Sequence, residues 1–287
     1  MAKRKYTLLN QKQQLLIDNG ALHRNQLRHS IKRAIAKLTK RDFYIFSPPG
    51  LGKSFTTDDE FANQGIEPVR IEGNTSLWGF VVDMAIVMYN RDPKKHLYLF
   101  IDDCDNLLLH KDSVNTLKIA LNNNKLVYNK QLMAQYAMLE EYQQEAIDNF
   151  RKEGRNAVEI PLDNFTIIWC SNYKLADQVD LANIKDTSST KYMKAIDELA
   201  LRRRLNARDY DMDAYEMWGW IADCILNETP NDMKKSSLFE RERILQFMYD
   251  NIAKVKELNI SFAEKLYEEM VLDPVTYDTA WEYDYLV

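Results

Sequence analysis

The chain has 287 residues, of which 46% are hydrophobic and 28% charged, an ordinary balance for a soluble protein and long enough for one large domain with a second, smaller one. No apolar run approaches the roughly 18 residues of a membrane span, and the basic start is followed by no apolar segment of the kind a signal peptide carries. The net charge of −5 is unevenly spread: residues 1–41 hold Lys3, Arg4, Lys5, Lys12, Arg24, Arg28, Lys32, Arg33, Lys37, Lys40 and Arg41 against essentially one acid, Asp18.

Such a basic segment can track nucleic-acid phosphates or face an acidic partner, and it is equally the composition of a solvated helix face. From Asn10 to about Leu38 the spacing predicts a helix, broken near Asp18-Asn19-Gly20. Its stripe of Leu27, Ile31, Ile35 and Leu38 is expected to pack onto a sheet.

The run Phe43-Tyr44-Ile45-Phe46 then predicts a buried strand leading into Ser47-Pro48-Pro49-Gly50-Leu51-Gly52-Lys53-Ser54. This stretch follows the phosphate-loop pattern, in which backbone N–H groups wrap phosphate, a Lys reaches its oxygens and a hydroxyl meets Mg²⁺. Gly52, Lys53 and Ser54 fit; Ser47 stands where the first Gly usually is, with Pro48, Pro49 and Gly50 expected to hold the turn. A helix from Lys53 to about Asn63 would place its positive dipole end behind the loop.

Pro68 to Glu72 reads as the next strand. Thr75 or Ser76 caps a helix to about Tyr89, stopped by Asp92-Pro93. The apolar run His96 to Ile101, ending in Asp102 and Asp103, has the form of a central parallel strand whose end meets a ligand crevice. There Asp102 suits a metal ligand and Asp103 a water-orienting carboxylate; alternatively, the pair caps the following turn. A helix from Ser113 to Leu121 leads into an insertion over about 122–160, with a strand-like Lys125 to Tyr128, a charged helical stretch from Leu132 to Gly154 and a returning run from Asn156 to Ile160. Asn164 to Cys170 is a further central strand, and Asn172 at its tip can orient water or act as a helix cap.

Arg202, Arg203 and Arg204 close a helix, where the dipole favours cations and where an exposed guanidinium can also serve a neighbour's γ-phosphate. After Tyr210 the pattern is helical, over Asp213 to Leu226, Leu238 to about Leu258 and Ser261 to Leu272. Tyr215, Trp218, Trp220, Phe239, Phe247, Tyr249, Phe262 and Tyr267 are expected to form the core of this small domain. The three cysteines, Cys104, Cys170 and Cys224, lack metal-ligand spacing and read as small buried hydrophobes in a reducing, cytoplasmic setting.

Phosphate loop, paired acids, strand-ending Asn and arginine cluster before a helical lid together resemble the AAA+ ATPases over nearly the whole chain. The resemblance implies a P-loop NTPase α/β core with a parallel sheet over 42–210, a small all-α lid over 211–287 and a basic helical segment, 1–41, packing on the core. It implies ATP and Mg²⁺ as ligands, with residues 47–54 as Walker A, Leu97 to Asp103 as Walker B, Asn172 as sensor 1, and Arg204, with Arg203 second, as arginine fingers. The insertion is similar to a presensor hairpin. The implied activity is ATP hydrolysis by a ring or spiral homo-oligomer that drives or remodels a protein or DNA-replication complex. The alternatives are a helicase loader, clamp loader or initiator on DNA, and a nucleotide-gated switch with little turnover. Three departures stand out: Asp103 replaces the usual Glu, Ala263 stands where relatives carry a sensor 2 Arg with Lys265 nearby, and Trp78-Gly79-Phe80 matches an aromatic pore loop only loosely, core packing being the simpler account.

Overall fold

The computed structural model describes residues 6–36, 42–129, 133–152, 157–228, 230–255 and 257–286. Lys3, Arg4, Lys5, Lys37, Leu38, Lys40 and Arg41 lie outside them. Numbered along the chain, the elements are α1 (Gln11–Ile35), β1 (Phe43–Phe46), α2 (Lys53–Asn63), β2 (Val69–Glu72), α3 (Leu77–Asn90), β3 (Leu97–Asp102), α4 (Asn106–Leu109), α5 (Lys111–Asn123), β4 (Lys125–Tyr128), α6 (Met133–Tyr136) and α7 (Glu141–Asn149). There follow β5 (Val158–Pro161), β6 (Phe165–Ser171), α8 (Gln178–Asn183), α9 (Thr190–Arg204), β7 (Arg208–Asp209), α10 (Ala214–Asp223), α11 (Leu238–Asp250), α12 (Ile260–Leu272) and α13 (Tyr277–Tyr285). They divide into two units, an α/β unit within Ile31–Phe46 and Thr57–Asp209 and a helical unit within Met1–Ser30, Ser47–Thr56 and Tyr210–Val287.

The α/β unit is built on a five-stranded parallel sheet of order β2-β3-β6-β1-β7. β1, β3 and β6 are nearly continuous apolar runs because both their faces are covered. Tyr44, Leu99, Ile101, Ile167 and Trp169 point into a core shared with α3, α5 and the end of α9. Phe100, one residue out of phase with Leu99 and Ile101, instead meets Phe61 of α2 at 6.2 Å between ring centroids, and Cys170 meets Thr57 at 3.4 Å. α2, after β1, therefore covers one face, and α9, on the connection from β6 to β7, covers the other. Adjacent parallel strands whose connections leave to opposite faces form a topological switch point, with a crevice at their carboxyl ends. β1 and β6 are such a pair, registered Phe46 against Ser171.

Trp78 and Phe80 are 9% and 3% exposed and belong to the core, as their apolar surroundings on α3 require. The insertion is a β4–β5 antiparallel pair, with α6 and α7 in place of one long helix. β7 carries no apolar signal and is absent from the sequence expectation; two residues of backbone pairing to β1 define it.

At the base of β1, Asp42 accepts a hydrogen bond from Ile167 N at 2.8 Å, and burial pushes its carboxyl up to about 6 against that bond. A carboxyl raised above its unfolded value favours the folded state most below about pH 4, an advantage lost as pH rises toward 6. Asp42→Asn keeps an acceptor for Ile167 without the charge. The stability difference between wild type and variant is therefore expected to grow in the variant's favour by roughly 1–3 kcal/mol from pH 4 to 7, read from urea unfolding at each pH; a constant difference would refute it.

In the helical unit, α1 runs unbroken through Gly20, contrary to the expected break. Gly20 is a close-approach residue rather than a breaker: a Cβ there would lie 2.4 Å from Gly219 O, and one on Gly219 would lie 2.3 Å from Leu16 O. Helices α1 and α10 thus touch backbone to backbone. Arg24, 3% exposed, pairs with Asp223 at 2.6 Å and with Glu228, and Arg28 pairs with Glu228 at 2.8 Å. Of the basic residues of this segment, Arg24 therefore forms an internal ion pair, and Arg28 is half-buried in a second one. α11 ends at Asp250, before the expected Leu258, and α13 is an additional helix whose Trp281 donates to Leu266 O at 3.2 Å. Trp218 and Trp220 are fully buried, whereas Tyr215 and Phe239 are 41% and 55% exposed and lie outside the core assigned to them.

Candidate phosphate loop and strand tips

Within the helical unit, Ser47 to Gly52 form a tight loop that leads into the first turn of α2. Gly50 and Gly52 have φ of 73° and 74°, a left-handed conformation that strains any side chain and explains both glycines. The loop carbonyls are turned inward. Lys53 Nζ donates to Ser47 O at 2.9 Å and Pro48 O at 3.2 Å, Ile260 N donates to Gly50 O at 3.1 Å, and Trp220 Nε1 donates to Leu51 O at 2.7 Å. Thr56 Oγ1 and N both reach Gly52 O, at 2.8 and 2.9 Å. The N–H groups of Gly50, Leu51 and Gly52 have no protein acceptor among the described residues. Successive backbone donors without acceptors at a helix N-terminus are an arrangement that suits an anion. Ser47, fully buried, donates its hydroxyl to Pro48 O at 3.0 Å. Pro49 is exposed at the loop apex and Ser54 is half-buried in the first turn of α2.

No family model matches the chain, and no curated protein matches it.

Within the α/β unit, the neighbouring tips of β3 and β6 gather Asp102, Asp103, Asp105, Ser171 and Asn172. Asp102 is the last residue of β3, registered against Cys170 of β6. Asp103 follows with φ 53°, which turns it out of the strand and leaves it exposed. Asn172 Nδ2 donates to Asp103 Oδ1 at 3.1 Å, so the strand-ending amide and the second acid are brought together. Asp105 is a site residue that sequence reasoning missed. It accepts from Ser171 Oγ and from Asn172 N at 3.2–3.3 Å and pins one strand tip to the other. Its signal was the third acid of Asp102-Asp103-Cys104-Asp105. Cys104, between them, is inert: burial, reinforced by the Asp102 charge, pushes its thiol up to about 12.

The three arginines of α9 have different surroundings. Arg202 pairs with Asp209 at 2.7 Å and is structural. Arg204 donates to Ala200 O and to Asn122 Oδ1, both at 2.9 Å, and Arg203 is the exposed one. In α12, Ala263 is fully buried and Lys265 exposed.

Proposed function

We propose that this protein binds ATP with Mg²⁺ and hydrolyses it as an AAA+ type module, acting in a homo-oligomer on a protein or DNA-replication complex. The observation that carries the reading is the loop of Gly50 to Lys53, in which the carbonyls of Gly50, Leu51 and Gly52 are satisfied from the protein side while the three amides of the same residues have no protein acceptor among the described residues. The switch point at β1 and β6 supports it, because ligands of open parallel sheets bind at such carboxyl ends. On this reading Ser54 and Asp102 would hold Mg²⁺, since hydroxyl and carboxylate are the hard oxygen donors it takes, and the metal would offset charge on the phosphates. Lys53 binds the phosphate oxygens, Asp103 orients the attacking water with Asn172 fixing its carboxylate, and Arg203 or Arg204 of a neighbouring copy stabilises the charge that develops in transfer.

A second reading, a nucleotide-gated switch with slow turnover, is favoured by the short Asp103 side chain and by the tie of Arg204 to Asn122. Action on DNA rests on the basic amino-terminal segment, and the internal pairing of Arg24 and Arg28 weakens it. Among the described residues no helix is long and apolar enough to cross a membrane.

ATP turnover measured against protein concentration, with and without single- and double-stranded DNA, separates these readings. A trans-acting finger gives turnover per chain that rises cooperatively and falls about 10³-fold or more in Arg204→Ala or Arg203→Ala, given the 10³–10⁵ typical of such fingers. Stimulation by DNA selects the nucleic-acid role. Bound ATP without concentration-dependent turnover selects the switch.

A further inference from the structure

Two of the loop carbonyls are held from far along the chain. Leu51 O accepts from the indole of Trp220, and Gly50 O from the first amide of α12, Ile260 N. In a planar trans peptide the carbonyl and the following N–H point in opposite directions. Holding Gly50 O therefore turns the Leu51 N–H away from α12, and holding Leu51 O turns the Gly52 N–H away from Trp220. These are two of the three amides that have no protein acceptor among the described residues.

Trp220 is itself held by a contact with no slack. The preceding residue, Gly219, and its counterpart Gly20 leave no room for a Cβ between α10 and α1. Tyr210 packs edge-on against the indole with ring centroids 5.6 Å apart, and the indole is fully buried. The indole that donates to Leu51 O therefore sits one residue from the backbone contact of α1 with α10.

We propose that Trp220 is a positioning residue for phosphate binding: its N–H fixes the Leu51–Gly52 peptide so that the loop amides face the anion, and the Gly20–Gly219 contact makes this orientation depend on α1. The inference rests on the phosphate-binding reading of the loop and extends it to residues that touch no ligand.

Trp218 provides a matched control, since it is equally buried and its indole donates to Leu245 O at 2.9 Å, away from the loop. Trp220→Phe and Trp218→Phe each remove one buried indole hydrogen bond. Trp220→Phe is expected to weaken binding of Mg²⁺ and a methylanthraniloyl-ATP probe about tenfold, as a lost buried hydrogen bond implies, and to speed deuterium exchange at the Leu51 and Gly52 amides. Trp218→Phe is expected to lower Tm comparably while leaving affinity and loop exchange as in wild type. Should Trp220→Phe fold poorly, Ile260→Pro removes the other donor at a first-turn position that tolerates proline, and faster exchange at Leu51 is expected there. Equal affinity and equal loop exchange in the two Trp variants would overturn the proposal. If wild type binds neither the probe nor inorganic tripolyphosphate, the nucleotide reading falls, and the exchange comparison still decides whether Trp220 orders the loop.

Discussion

Lys53→Ala is expected to abolish nucleotide binding, raising Kd by on the order of 100-fold or more, the scale of two charge-assisted hydrogen bonds lost from a phosphate. Lys53 is 6% exposed and its ammonium is held by Ser47 O and Pro48 O, so the side chain lies inside the loop rather than on the surface. A surface lysine after a glycine turn would be mostly exposed, and its removal would alter little. The measurement is calorimetric titration with Mg²⁺ and ATP, paired with Tm in the presence and absence of ligand. Saturation at about 100 times Kd stabilises a binding protein by about 2.7 kcal/mol, so wild type should show a clear upward shift in Tm that the variant lacks. The variant's own Tm is expected to fall modestly, because Ser47 O is buried and loses its donor. Tight ATP binding by Lys53→Ala would remove the phosphate site from consideration, and with it the hydrolysis built upon it.

The elements that were legible in the sequence are those whose signal is local. The apolar runs of β1, β3 and β6 announced strands buried on both faces, and their order in the sheet followed only from pairing, which no single run encodes. The glycines at 50 and 52 were readable because the loop needs left-handed backbone there. Gly20 was misread, since its role depends on Gly219, far along the chain, and a glycine that admits a neighbouring backbone has the same local sequence as one that ends a helix. Arg24 was misassigned for the same reason: its partners Asp223 and Glu228 are brought in by α10 and the segment beyond it. β7 was invisible because an edge pairing of Arg208 and Asp209 needs no apolar residue. In the two candidate clusters the lysine of the loop and the acids and amide of the strand tips stand out by residue type. Asp105, bonded to Asn172 N, and Trp220, bonded to Leu51 O, do not, because those bonds join segments distant in sequence.

Asp103→Asn is expected to lower ATP turnover by 10²–10⁴-fold, the usual contribution of a positioned acid–base group, while leaving ATP affinity within a few-fold of wild type. The substitution isolates charge from shape. Asparagine tolerates the left-handed backbone that Asp103 adopts at φ 53°, and its amide oxygen still accepts from Asn172 Nδ2, so the contact at 3.1 Å between the strand tips survives. What disappears is the carboxylate that can polarise water. Burst and steady-state measurements on the same sample separate the two roles: unchanged affinity with lost turnover assigns Asp103 to the chemical step, and a parallel loss of binding assigns it to holding the loop or the metal. Turnover that persists in Asp103→Asn at the wild-type rate would exclude Asp103 as the water-orienting group and move that role to another acid at the strand tips. Wild-type turnover already as slow as the variant's, with ATP tightly bound, would mean that the shorter aspartate and its tie to Asn172 hold the site in a binding state, and the protein would then act by nucleotide occupancy rather than by repeated hydrolysis.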